Sequence, residues 1–78
     1  MSHWNHRVLV HQTDNELLYI VHEVHYDEMG IPHSYTENGV PVCGESIEEI
    51  KWVLDMFREA LKKPILWSGE KFPLEYQG

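Results

Sequence analysis

Apolar and polar positions alternate along two stretches near the start of the chain. Residues 6–12 (HRVLVHQ) form a short β-branched run, and the turn-forming sequence TDN follows it. Residues 17–26 (LLYIVHEVHY) are rich in β-branched and aromatic side chains and precede Gly30, which suits a tight turn. The pattern predicts two β-strands that form a hairpin.

A third strand and one helix are predicted to follow. Residues 33–37 alternate ring and polar side chains ahead of an Asn-Gly pair, which favours a shorter strand. Ser46 and Glu49 have the spacing of a capping box, in which Glu49 is expected to reach back to the amide of Ser46. Apolar residues then recur at three- and four-residue steps before Pro64, which predicts a helix over residues 47–62. The expected fold is α+β, a three-stranded antiparallel sheet packed on one C-terminal helix in the order β-β-β-α.

The rest of the chain, residues 64–78, is too rich in Leu, Trp, Phe and Tyr to be a solvated tail. Gly69 and Pro73 interrupt any regular element there, so we expect an irregular aromatic tail that packs on the domain or on a partner subunit. Residues 1–78 are expected to form a single domain. A domain of this size buries only about 60% of its unfolded surface, and three Trp, four Tyr and two Phe compensate for that small fraction.

Strand alternation assigns the two faces of the predicted sheet. One face of the second strand is apolar except at His22, and we expect it to pack on the helix together with the His6 face of the first strand. His22 is then a core histidine whose ring nitrogens need hydrogen-bond partners. The face predicted to pack on the helix carries His6, Val8, Val10, Leu18, Ile20, His22, Val24 and Tyr26. The outer face is predicted to carry Arg7, Leu9, His11, Tyr19, Val21, Glu23, His25, His33, Tyr35 and Glu37.

The segment HEVHYDE, residues 22–28, has the composition of a metal site but the wrong spacing. His22 and His25 are three apart rather than four, as in a zincin helix, and on a strand they point to opposite faces. No Cys/His quartet, phosphate-cradling glycine loop, nucleophile elbow or CxxC motif is present, and Cys43 has no base to activate it. The sequence therefore predicts no metal site, no cofactor and no catalytic residue.

The net charge limits the partners that the protein can have. Thirteen acidic and six basic residues give a formal charge of −7 at pH 7, which opposes binding to a phosphate backbone or to an anionic membrane. One cysteine cannot form an internal disulfide, and the first residues lack the apolar run of a signal peptide. No stretch approaches 18 apolar residues, so we expect a cytoplasmic protein.

Several surface residues indicate binding. The partly apolar outer sheet face predicts a homo-oligomer, most simply a dimer, with Trp52, Met56 and Trp67 as interface residues. Trp4 could stack on a base and Arg7 could bind a phosphate, which fits a nucleotide-like ligand. The predicted ligand residues are Trp4, His6, Arg7, His11, Tyr19, His25, His33 and Tyr35.

Three segments carry a resemblance to a known group: Trp4-Asn-His-Arg-Val8; Ile20-Val-His-Glu-Val24 with Tyr26-Asp27; and Gly44-Glu-Ser-Ile-Glu-Glu49 followed by Trp52, Leu61 and Lys63-Pro64. The chain resembles small single-domain proteins of bacteria and their phages over most of residues 4–66. The resemblance implies a prokaryotic or viral origin, and it carries over no established activity.

Three functions follow as expectations. By analogy with small acidic phage proteins that disarm host defence, the first is a non-enzymatic oligomer that sequesters a small phosphorylated ligand. The alternative is an acidic protein that blocks a host protein partner, as DNA mimics do. A small hydrolase comes last, because the catalytic signatures are missing.

Overall fold

The computed structural model describes residues 3–77 and has an α+β architecture, in which one α-helix packs on a mixed four-stranded sheet. The order of strands across the sheet is β3-β2-β1-β4. The elements are β1 (His3–Gln12), β2 (Leu17–Tyr26), β3 (Pro32–Tyr35), α1 (Ile47–Ala60), β4 (Leu66–Trp67) and a short 3₁₀ helix (Gly69–Lys71).

The hairpin of β1 and β2 is the centre of the sheet. Gln12 pairs with Leu17, and the Thr13 amide and hydroxyl both donate to the Glu16 carbonyl, at 2.9 and 3.0 Å. The bounds of β2 are those predicted, whereas β1 begins three residues earlier than predicted, at His3. β3 pairs antiparallel with the far end of β2 and ends at Tyr35, two residues before its predicted end.

The fourth strand corrects the predicted sheet. Leu66 and Trp67 pair parallel to β1, opposite Leu9 and Val10, so the prediction of a purely antiparallel, three-stranded sheet is wrong. The tail that contains β4 is also more regular than predicted, because an antiparallel bridge joins Leu66 to Glu75. β4 adds a second neighbour to β1, which therefore lies inside the sheet.

Helix α1 begins at a capping box. The Ser46 hydroxyl accepts a hydrogen bond from the Glu49 amide at 3.1 Å, as predicted. The Glu49 carboxylate, however, accepts from the amide of Glu45 at 2.7 Å and not from that of Ser46. The helix ends at Ala60, two residues before its predicted end. Ala60 is its one fully buried residue, so α1 lies shallowly on the sheet. No helix in the described part of the chain is both long and apolar enough to span a bilayer.

The register of the hairpin corrects the predicted faces. Val8 lies opposite Val21, and His6 lies opposite Glu23, so these side chains share one face of the sheet. The helix packs on this face, as the ring contact between His6 and Phe57 shows. We call it the helix face. The apolar side chains of β2 that were expected beneath the helix lie on the opposite face, which we call the tail face: Leu18, Ile20, Val24 and Tyr26.

The main hydrophobic cluster is on the tail face. Leu9, Val24, Tyr26 and Leu66 are buried together there. Two partly buried rings of β3 and the tail, Tyr35 and Phe72, pack against the cluster. Both faces of β1 are therefore covered, one by the helix and the other by the C-terminal tail, and its residues 6–10 are all buried.

Candidate functional site

A groove opens between the sheet and the exposed side of α1. Its volume is about 210 Å³, and we call it the indole groove because two tryptophan side chains line it. β1, β2, the segment after β3, and α1 all contribute side chains. The lining residues are Trp4, His6, Glu23, Val40, Pro41, Cys43, Trp52, Val53 and Met56.

The sheet wall of the indole groove is held by ring contacts. Trp4 and His6 are two apart on β1 and so share the helix face, where their rings meet edge to face with centroids 5.5 Å apart. His6 also contacts Phe57 of the helix at a centroid distance of 5.7 Å. Contacts with these two aromatic rings therefore hold the imidazole in place on this wall.

The segment after β3 forms a second wall because it continues along the edge of β2. The Thr36 amide donates to the Glu23 carbonyl at 3.0 Å, and the Val40 amide donates to the Val21 carbonyl at 2.8 Å. These bonds bring Val40 and Pro41 beside the Glu23 side chain. The groove therefore depends on contacts between residues far apart in sequence.

The two most exposed large side chains of the groove are one tryptophan on the helix wall and one on the sheet wall. Trp52 is 59% exposed and Trp4 is 47% exposed, values that are high for tryptophan. The C-terminal tail packs elsewhere: its Tyr76 ring contacts Tyr19 and Trp67. The tail therefore does not cover Trp52.

The electrostatics of the indole groove favour cations. Within residues 3–77, no lysine or arginine lines the groove, and no hydrogen bond or ion pair joins the Glu23 carboxylate to another side chain. His6 is buried, and its Nδ1 atom has no hydrogen-bond partner among the residues that the structure describes. A carboxylate without a partner in an apolar groove attracts positive charge.

Arg7, the predicted phosphate anchor, lies on the tail face and not beside Trp4. Its guanidinium is buried and donates to the Tyr26 hydroxyl at 2.7 Å and to the Pro64 carbonyl at 2.8 Å. The Tyr26 hydroxyl in turn donates to the Asn5 side chain at 2.8 Å. Arg7 thereby ties β1 to β2 and to the segment that follows α1.

His22 is a core histidine, as predicted, and its hydrogen bonds define its tautomer. Its Nδ1 atom lies 2.9 Å from the Thr36 carbonyl oxygen, which can only accept, so Nδ1 carries the proton. Its Nε2 atom lies 2.9 Å from Nε2 of His11 and must accept from it. Burial and, to a lesser degree, the nearby His11 lower the pKa of His22, although the bond to Thr36 raises it.

The other predicted ligand residues are dispersed. Tyr19 is exposed, and a hydrogen bond with Tyr76 raises its pKa. The Tyr35 hydroxyl accepts from the Gly69 amide at 2.7 Å, which ties β3 to the tail. His25 pairs with Trp4 across the hairpin, and His33 is exposed on β3. The structure therefore brings Trp4, His6 and His25 of the predicted set together on the helix face, and it places Arg7, His11 and Tyr35 on the other face.

The predicted interface residues also separate. Trp52 and Met56 line the indole groove. Trp67 instead pairs with Val10, which is six residues, or about 20 Å, from Trp4 along β1. The ammonium group of Lys71 lies over the Trp67 ring, 4.1 Å from its centroid. The sequence interpretation did not assign Glu23, Val40, Pro41, Cys43 or Val53 to a site, because only the register and the path after β3 bring them together.

Comparison of the chain with protein-family models, curated proteins and solved structures found no match. Among residues 3–77, no three His, Cys, Asp or Glu side chains are grouped so that they could hold a metal ion.

Proposed function

We propose that this protein is a non-enzymatic binding protein that engages a protein partner through the indole groove. The observation that carries the proposal is the pair of exposed tryptophans that line a largely apolar groove. Exposed Trp side chains at the centre of an apolar patch are the usual anchors of protein interfaces. The acidic chain, with a net charge of −7, would draw a basic partner towards this surface.

The size of the groove supports a protein partner over a free nucleotide. Pockets for drug-sized ligands measure about 300–1,000 Å³, and the indole groove, at about 210 Å³, is smaller. It has room for one or two inserted side chains. Sequestration of a phosphorylated ligand would also need a cation in the groove, and Arg7 is bonded to Tyr26 and Pro64 on the other face. These facts favour the second sequence expectation, an acidic protein that blocks a partner.

Site-specific photo-crosslinking tests this proposal in the cells that express the protein. A photoreactive residue at position 56, inside the groove, is expected to capture a defined partner. The same residue at position 29 is the matched control, because Met29 is 83% exposed on the turn after β2. Capture of the same proteins from both positions, or of none from position 56, would contradict the proposal.

Self-association is also part of the proposal, and α1 offers a surface for it. Ile47 and Leu54 of α1 and Leu61, which caps the end of the helix, are exposed and recur every seven residues, the spacing that places them along one seam. We expect sedimentation velocity to show a dimer that Leu54→Glu dissociates. Leu74→Glu, at an exposed tail position, is the control and should leave the dimer intact. If the wild-type protein is monomeric at high concentration, self-association is contradicted. That result would not bear on the binding of a partner in the indole groove.

A further inference from the structure

Glu23 has a position that suggests what the partner inserts. It is half-buried on the helix face, directly opposite His6 in the hairpin, and its carboxylate borders a groove of apolar side chains. The carboxylate keeps contact with water, and no side chain within residues 3–77 forms a hydrogen bond or ion pair with it. A cation that enters the groove can therefore pair with this carboxylate without displacing another partner.

The two indoles suit the same ligand. Trp4 and Trp52 line the groove together with Glu23, and the electron-rich face of an indole attracts ammonium and guanidinium groups. Met56 and Val53 add apolar surface against which a methylene stem can pack. Long cationic side chains combine such a stem with a charged end.

The charges around the groove agree with this chemistry. Glu48, Glu49 and Asp55 are three or four residues from Trp52 on α1 and therefore lie near it on the helix surface. Lys51 is next to Trp52 in sequence but lies about 100° around the helix from it. The field at the groove is thus negative, as the net charge of the chain is.

We infer that the indole groove receives a lysine or arginine side chain of the partner, with its charged end at the Glu23 carboxylate and its stem against Trp4, Trp52 and Met56. The inference rests on the proposed function, since it names the group that the partner inserts. The inference adds that the groove selects positively charged side chains. A purely apolar contact would not have this selectivity.

A titration followed by NMR tests the inference on the isolated protein. The probes are Nα-acetyl-lysine methylamide, its arginine counterpart, and the neutral Nε-acetylated form of the lysine probe. The indole N–H signals of Trp4 and Trp52 are expected to shift saturably with the two charged probes and not with the neutral one. Trp67 is the internal control, since it lies outside the groove and its signal should not move.

Glu23→Gln keeps the shape of the side chain and removes its charge. We expect it to weaken binding of the charged probes about tenfold, the factor that corresponds to one charge-assisted hydrogen bond. Glu37→Gln, at an exposed position outside the groove, should have no effect. Equal binding of the neutral probe, unchanged affinity in Glu23→Gln, or no shift of either indole would overturn the inference. None of these results decides the proposed function. That function is tested separately, by photo-crosslinking of a protein partner from position 56.

Discussion

Replacing Arg7 with alanine is expected to lower the free energy of unfolding by about 2–4 kcal/mol. The guanidinium is buried and makes two charge-assisted hydrogen bonds, to the Tyr26 hydroxyl and the Pro64 carbonyl. Without Arg7 the Pro64 carbonyl loses this donor, and a void replaces the side chain between β1 and the segment after α1. A domain of this length has a total stability of only about 4–12 kcal/mol, so urea denaturation will detect the loss readily.

Two further variants identify the cause of the loss. Arg58→Ala removes an exposed arginine from α1 and should change stability by less than about 0.5 kcal/mol. Arg7→Met restores most of the buried volume without the hydrogen bonds, so its stability should lie between those of Arg7→Ala and the wild type. If Arg7→Ala were as stable as the wild type, Arg7 would not anchor the interior, and its assignment as a ligand-binding residue would regain support.

Acidification is expected to destabilise the protein before its carboxylates titrate. Burial lowers the pKa of His22 in the folded state below its value in the unfolded chain, so the unfolded state binds the proton more readily. The stabilisation from neutral His22 is complete above about pH 6.5 and is lost as the pH falls below that value. A second proton on His22 would sit at Nε2 and face the proton that His11 donates, which adds repulsion.

Urea unfolding between about pH 7 and about pH 5 measures this effect. The unfolding free energy of the wild type should decrease across the range, and His22→Gln should flatten the slope, since glutamine does not titrate. His33→Gln is the matched control, because His33 is exposed, and it should keep the wild-type slope. An unchanged slope in His22→Gln would show that another group titrates.

Local sequence signals were sufficient for the hairpin strands and the helix. The capping box of Ser46 and Glu49 begins α1 at the predicted residue, because its hydrogen bonds join residues three or four apart. β2 has the predicted bounds, because turn residues flank it on both sides. These signals act within a few residues and are therefore readable without the fold.

The faces of the sheet could not be read in the same way. Alternation predicts faces when one side of a sheet is polar, but both sides of β1 are covered here, so its residues 6–10 give no such contrast. The pairing of Gln12 with Leu17 sets the register, and a shift of one residue reverses which β2 side chains accompany Val8 and Val10. β4 was missed because two residues paired with distant Leu9 and Val10 leave no periodic signal.

Strand alternation could have identified part of the error in the predicted ligand site. Strand alternation separates His22 from His25, and the same rule separates Trp4 from Arg7, which are also three apart on a strand. Those two were nevertheless grouped as one ligand site because they are close in sequence. Glu23, by contrast, joins Trp4 only through the register and the packing of α1, and no local motif indicates that it does.

The affinity of the partner captured from position 56 is the most direct test of the indole groove as the functional surface. Calorimetry should compare the wild type with Trp52→Ala, which removes the most exposed ring of the groove, and with Met29→Ala, which removes an exposed side chain outside it. If the groove binds the partner, Trp52→Ala will weaken the affinity by about thirtyfold, as the loss of an interface anchor does, and Met29→Ala will leave it unchanged. Wild-type affinity in Trp52→Ala, or an equal loss in Met29→Ala, would contradict the account.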